Sequence, residues 1–402
     1  MGDRPVATRF PRSVAARHNR PLVPTKIRRP HVNDTAEVLA EVRGNTGFIT
    51  LNRPRALNAL SLAMVRELHR ILLQWRDDPA IAAIAIRGNG REGPFGAFCA
   101  GGDIRFLHQA ACDGNPALED FFTEEYQLNH LTHHLGKPYI AFMDGVVMGG
   151  GMGISQGASL RIVTERTRMA MPETAIGLFP DVGGGYFLGR APGHVGEWLA
   201  LTGSTIGAGD AVAFQLADGV VPAARLAALW DGLAGDFADG AAITQYVRQH
   251  FVPAESPASA YLAAINSVFA LPSVKAIVDA LEAAGGQGDA GAADWARDTA
   301  ATLRKRSPLM LHVVLEQIRR ARSMGLADDL RMERDLVRHC FYLRDDRRHN
   351  SETIEGIRAL AVDKDHQPHW KPGRIEEVDP AEVAAFFRSP WPAALHPLAG
   401  LG

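Results

Sequence analysis

Three times between residues 81 and 189, a short apolar run is followed by a glycine-studded loop and then by a helical pattern. Ile81 to Ile86 leads into the loop Gly88–Gly102 and on to Asp103. Tyr139 to Met143 precedes Gly149-Gly150-Gly151, and Leu160 to Val163 precedes a loop ending in Gly183-Gly184-Gly185. This alternation predicts an α/β fold of stacked units. It also leaves backbone amides at glycine turns, where no Cβ keeps a ligand from the main chain. Upstream, Val38 to Val42 and Phe48 to Leu51 flank Gly44-Asn45-Thr46-Gly47 as a hairpin. Met64, Val65, Leu68, Ile71, Leu72 and Trp75 then recur at helical spacing after Ser61, a residue suited to cap. From about Ala223 to about Leu360 the strand signals fade, and a mainly helical region is expected, with the Gly- and Ala-rich Ala283–Ala293 as a flexible connection inside it. The predicted layout is an extension over 1–33, an α/β core over 34–222 and a helical region over 223–402.

The extension has seven arginines against the single Asp3, with five prolines interspersed. Such a stretch cannot bury enough apolar surface to order itself, and the prolines spoil the amphipathic helix of a transit peptide. Over the whole chain, 43 Lys+Arg against 45 Asp+Glu give a net charge of −2, which argues against nucleic acid or an anionic membrane as partner. No apolar run approaches the ~18 residues of a membrane span. Cys99, Cys112 and Cys340 are odd in number and lack the paired spacing of a zinc site or disulfide framework, so a reducing, cytoplasmic location is expected, with a mitochondrial-type matrix compatible.

Two glycine loops, Phe98-Cys99-Ala100-Gly101-Gly102-Asp103 and Met148-Gly149-Gly150-Gly151-Met152-Gly153, could each turn one N–H toward a carbonyl oxygen, the geometry of an oxyanion hole. Glycines also serve tight turns and close helix packing, which is the plainer reading of either loop alone. A third motif runs from Met171 to Gly185, where Glu173 and Asp181 are the only acids in a strongly apolar stretch. Carboxyls held among Met, Ile, Leu and Phe have their pKa pushed upward, which suits acid/base work near neutral pH. Spacing alone fits a structural role equally well: Glu173 capping a turn, Asp181 accepting from the glycine amides that follow it.

These residues give the chain its resemblance. It resembles the crotonase (enoyl-CoA hydratase/isomerase) superfamily and, within it, the 3-hydroxyisobutyryl-CoA hydrolases. The match runs from Ile49-Thr50-Leu51-Asn52-Arg53-Pro54 through Ala56-Leu57-Asn58-Ala59-Leu60, the Ala100–Ile104 loop, Lys137-Pro138, the triple glycine and Met171–Leu188. It resumes at Glu355-Gly356-Ile357-Arg358-Ala359 and Val362-Asp363-Lys364-Asp365 and ends in Pro368-His369-Trp370-Lys371-Pro372. The resemblance implies a stacked ββα superhelix with a helical C-terminal region, an acyl-CoA substrate, and oxyanion donors at Ala100 and Gly150. Family hydratases carry one acid just after the triple glycine and a second at the position of Glu173; here the first is replaced by Gly153, while Asp181 stands where hydratases commonly have glycine. Glu125, on the helix before Lys137-Pro138, matches a hydrolase glutamate better than Glu124 does, and the resemblance implies that it binds the substrate hydroxyl. Arg347–Thr353 departs from the family pattern ahead of Glu355-Gly356.

The expected activity is hydrolysis of a short, branched 3-hydroxyacyl-CoA thioester, 3-hydroxyisobutyryl-CoA first, with Glu173 and Asp181 catalytic and Glu125, Gly150, Glu173 and Asp181 binding substrate. No metal or further cofactor is expected, CoA being part of the substrate, and a homo-oligomer is compatible with the sequence. An enoyl-CoA hydratase or isomerase and a noncatalytic acyl-CoA-binding scaffold are the alternatives. Gly153-Ile154-Ser155-Gln156-Gly157 fits a nucleophile-elbow pattern, but Ser155 lies past three glycines inside an expected helix, the wrong context for a serine esterase.

Overall fold

The strands alternate between two buried faces, and that alternation sets the architecture. In a computed structural model, which describes residues 1–2, 36–286, 290–342, 344, 346 and 350–402, the hairpin β1 (Val38–Arg43) and β2 (Thr46–Leu51) opens the main sheet. It continues with β3 (Ala83–Gly90) and a short β4 (Gly93–Pro94) folded back on it, then β5 (Tyr139–Met143), β7 (Leu160–Val163) and β9 (Gly219–Val220). The order is β1-β2-β3-β5-β7-β9, with only the β1–β2 and β3–β4 pairings antiparallel. Ile49, Ile84, Ile86, Ala141 and Val163 face one core; Phe48, Ala83, Ala85, Ile140, Phe142 and Ile162 face another, closed by Leu226, Trp230, Ile243 and Val247. Burial on both faces accounts for strands that read as continuous apolar runs rather than as alternating ones.

A second, thinner layer carries the glycine loops. There β6 (Val146–Met148) pairs in parallel with β8 (Arg168–Ala170), and single bridges extend the row from Leu60–Gly102 through Cys99–Val147 to Met169–Ile206. Each unit thus places one strand in the main sheet and a shorter one in this layer before its helix, the expected stacked ββα arrangement. The helices α1 (Leu62–Asp77), α2 (Ile104–Asp113), α3 (Ala117–His133), α4 (Gly150–Gln156) and α5 (Gly184–Gly189) follow. Ser61 caps α1 by accepting from the Met64 N–H, as its position predicts.

Beyond β9 the described chain is mainly helical, and helices from Leu309 to Phe341 join the same apolar core as the sheet; Thr35–Gly402 forms one compact unit. The Gly- and Ala-rich stretch is more helical than expected: one helix runs to Ala284 and the next begins at Ala290. Residues 287–289, all but the first two residues of the Arg- and Pro-rich extension over 1–33, and 347–349 of the departing segment lie outside the described residues.

Candidate active site

The loop before α2 is held from upstream. Asn58 Nδ2 donates to Ala97 O at 2.9 Å and to Asn89 O at 3.0 Å, and Arg53 reaches Asp103 Oδ2 at 2.8 Å. This accounts for the Asn52-Arg53-Pro54 and Asn58 motifs, which scaffold the site without lining it. The loop is stitched to its neighbour by Cys99 N to Val146 O and Met148 N to Cys99 O, both 3.0 Å. The approach is close enough that a Cβ on Gly151 would lie 2.4 Å from Cys99 O.

Which amides remain free is decided by these bonds. The Ala100 N–H, expected as an oxyanion donor, donates instead to Leu57 O at 3.0 Å, so it is not available to a ligand. Leu60 N takes Gly101 O and Asp103 N takes Leu60 O, which leaves the Gly102 N–H without an acceptor among the described residues. Gly150 is the first residue of α4, where an N–H has no intrahelical partner. A Cβ on Gly150 would lie 3.4 Å from Gly102 N, so the two unclaimed donors stand side by side. The pair this geometry offers is Gly102 and Gly150.

A cavity of about 240 Å³ opens on these amides, lined by Ala100, Gly102, Gly149 and Gly150, by Phe121, Phe122 and Leu107, and by three carboxyls, Glu125, Glu173 and Asp181. The structure thus brings every site residue expected from the sequence to one cavity. The carboxyls are 2%, 6% and 6% exposed. Burial pushes Glu173 and Glu125 well above the usual carboxylate range, with the charge of Asp181 adding to each. Burial also raises Asp181 to about 7, held back by a hydrogen bond from Tyr126. Glu173 begins a short 3₁₀ turn, Glu173–Ile176, and its Oε2 has no partner. A Cβ on Gly149 would come within 2.9 Å of Glu173 Oε1, and one on Gly150 within 2.6 Å of Glu125 Oε1. Both glycines are needed to seat a carboxyl against the amide pair. Glu124, by contrast, faces outward and pairs with Arg66 at 2.6 Å.

Asp181 does not accept from the Gly183 and Gly184 amides, as its alternative structural role required. Gly183 N donates to Glu333, Gly184 N to the Asp181 backbone carbonyl, and the Asp181 side chain takes the Tyr126 hydroxyl on Oδ2 at 3.0 Å. Tyr126 was missed from sequence because an aromatic in an apolar helix looks like core; the adjacent Glu125 was the available signal. Gly153 proves to have a packing reason: a Cβ there would meet Val182 Cβ at 2.6 Å and Asn129 Nδ2 at 2.9 Å. Val182, at φ +58, fills the space where a side chain at 153 would stand. Ser155 Oγ donates to Gly151 O at 2.8 Å inside α4 and is fully buried, a packing serine.

The Glu173–Ile176 turn is gripped by the C-terminal region. Thr353 Oγ1 donates to Gly177 O at 2.6 Å, Gly356 packs on the Ile176 backbone, and Leu360 reaches the cavity rim. Among the described residues no cluster of His, Cys, Asp and Glu could hold a metal ion, and no helix is long and apolar enough to cross a membrane.

A stacked ββα fold with paired loop amides facing buried carboxyls defines the class, and comparison with known proteins agrees. A family model described as enoyl-CoA hydratase/isomerase matches residues 46–387. The chain belongs to this enoyl-CoA hydratase/isomerase family, the crotonases. It is 37% identical over 367 residues to "3-hydroxyisobutyryl-CoA hydrolase, mitochondrial" of Gallus gallus, covering 89% of this chain and 90% of the relative. Identity is also 37% over 359 residues to "3-hydroxyisobutyryl-CoA hydrolase 1" of Arabidopsis thaliana, covering 88% and 91%. Among solved structures, a carnitinyl-CoA dehydratase from Mycobacterium thermoresistibile is similar with a TM-score of 0.78 at 35% identity, covering 88% of this chain and 96% of that one. An enoyl-CoA hydratase from Rhodobacter sphaeroides 2.4.1 is similar with a TM-score of 0.77 at 37% identity, covering 88% and 98%.

Proposed function

We propose that this chain hydrolyses the thioester of a short 3-hydroxyacyl-CoA, 3-hydroxyisobutyryl-CoA first, to the free hydroxy acid and CoA. The observation that carries the choice of chemistry is Gly153, whose side-chain space is filled by Val182 and Asn129 while three other carboxyls line the cavity. A hydratase working as the family hydratases do needs a second acid there to activate water against a C=C bond; this chain has no room for one. The hydrolase relatives support the same substrate class.

In this reading the Gly102 and Gly150 amides hold the carbonyl oxygen as it gains charge, worth ~3–4 kcal/mol per donor in such sites. Glu173, beside Gly149 with one free oxygen, either attacks the thioester carbon or activates the water that does; CoA leaves as the thiol and water supplies the acid's second oxygen. The substrate hydroxyl, at once donor and acceptor, is met by Glu125 and Asp181. These two buried carboxyls repel each other's charge, so one of them holds a proton near neutral pH and the pair offers one donor and one acceptor. Thioester hydrolysis balances with water alone, so the proposal includes no cofactor. Three cysteines outside any disulfide, two of them buried, favour a reducing compartment: the cytoplasm, or the mitochondrion that several relatives' names give.

Thiol release decides between the readings. Free CoA thiol from 3-hydroxyisobutyryl-CoA is the expected result. Hydration of crotonyl-CoA without thiol release would establish the hydratase reading, and binding without turnover a scaffold.

A further inference from the structure

Asp181 sits in a loop that the helical C-terminal region grips on both sides. Before it, the Pro180 carbonyl accepts from Gln317 Nε2 at 2.7 Å, and after it the Gly183 and Gly185 N–H groups donate to the two oxygens of Glu333 at 2.7 and 2.9 Å. Gln317 Nε2 also reaches Glu333 Oε1 at 3.2 Å, which closes the clamp into one piece. One turn earlier on the helix Leu326–Tyr342, Asp329 takes the Tyr186 N–H on Oδ2 at 2.8 Å. Gln317, Asp329 and Glu333 are all fully buried. None of them lines the cavity.

A buried carboxyl pair with an amide is costly to retain unless it fixes a geometry that packing alone would not hold. The geometry here is unusual. Val182, a β-branched residue, is held at φ +58, and Gly183 follows at φ +85. This left-handed pair turns the chain so that Val182 covers Gly153 while the Asp181 side chain lines the cavity and meets Tyr126. An ordinary helix cap on the chain itself would not hold that turn, since the Gly183 cap position has no side chain. The bonds come instead from residues about 150 positions downstream.

We infer that Glu333, with Gln317 and Asp329, is a positioning residue for Asp181: it sets where the Asp181 carboxyl meets the substrate hydroxyl, and so sets the preference for hydroxylated over plain acyl chains. This rests on the functional reading above.

The test is a double-mutant cycle on the selectivity ratio, kcat/KM for 3-hydroxyisobutyryl-CoA over kcat/KM for isobutyryl-CoA. Glu333→Gln can accept only one of the two N–H bonds, and it is expected to lower the ratio at least about threefold in the wild-type background. In an Asp181→Asn background it is expected to change the ratio no further. A purely structural Glu333 would weaken both substrates alike; an unchanged ratio, or a drop that persists beside Asp181→Asn, overturns the inference. If Glu333→Gln does not fold, Gln317→Met, which releases Pro180 and removes no charge, is put through the same cycle with the same two criteria. Failure of the wild type to release thiol overturns the functional reading and this inference with it. An unchanged ratio for Asp181→Asn alone overturns the role given to Asp181, and hence the need to position it.

Discussion

Glu173 has an oxygen without a partner, in a cavity that excludes water from most of its surface, and such a group is poised to bind or attack whatever enters. Glu173→Gln keeps the shape and removes the base, so turnover of 3-hydroxyisobutyryl-CoA is expected to fall by the ~10²–10⁴-fold typical of lost acid/base catalysis. A variant keeping more than about a tenth of wild-type kcat would exclude the role. Tyr126→Phe acts more gently. It removes the stronger of the two hydrogen bonds that hold the Asp181 pKa down, so any limb of the kcat/KM–pH profile set by Asp181 is expected to move to higher pH, with the fold intact. Titration of kcat/KM for both proteins between pH 5 and 9 reads this directly. Glu173 and Asp181 were legible in the sequence because acids in apolar surroundings are conspicuous, whereas Glu125 was legible only through the family resemblance. The oxyanion donor was legible only to within a loop: three consecutive small residues, Ala100 to Gly102, are alike in kind, and the bond from Ala100 N to Leu57 O is what rules one out.

At the scale of elements, hairpin, first helix and the three strand–loop–helix units were readable because period and glycine placement are local properties. What could not be read is which elements press on the catalytic turn. Helix Glu352–Ile357 lies against Glu173–Ile176 through Thr353 and Gly356, a contact across some 180 residues that leaves no local signature. Thr353→Val preserves shape and strands the Gly177 carbonyl in a buried site, which costs roughly 1–3 kcal/mol. A lowered melting temperature is expected together with a reduced kcat, because Gly177 ends the turn that begins at Glu173. A stability loss with unaltered kcat would mean that this helix supports the fold and leaves the turn's geometry alone.

Across the whole molecule, the site and its support concentrate buried carboxyls: Glu125, Glu173 and Asp181 at the cavity, Asp329 and Glu333 behind it, all with pKa raised chiefly by burial. The second pair was invisible in sequence because acids one turn apart on an Arg-rich helix look like a solvated face. Raised carboxyls work against the fold as pH rises. Well below pH 3.8 Asp181 is protonated whether folded or unfolded and contributes nothing. Between its ordinary value of 3.8 and its folded value of about 7 the unfolded chain releases the proton while the folded chain keeps it, so stability falls through that window and then levels off. Histidines buried in the neutral form act in the opposite sense: His133, lowered to about 4, loses stability as pH falls below its ordinary 6.5. The two trends overlap, so the wild-type melting curve alone does not isolate either, and a difference measurement does. Asp181→Asn keeps an acceptor for Tyr126 and never ionises. Relative to wild type it is expected to gain least at pH 4, to gain progressively from pH 4 to 7, and to hold a constant advantage of roughly 1–4 kcal/mol above pH 7. Melting temperatures of the two proteins in parallel across pH 4 to 8 check it. A difference that stays flat, or one that shrinks with pH, would mean that Asp181 is ionised in the folded protein throughout, and the shared proton assigned to it and Glu125 would have to be given up.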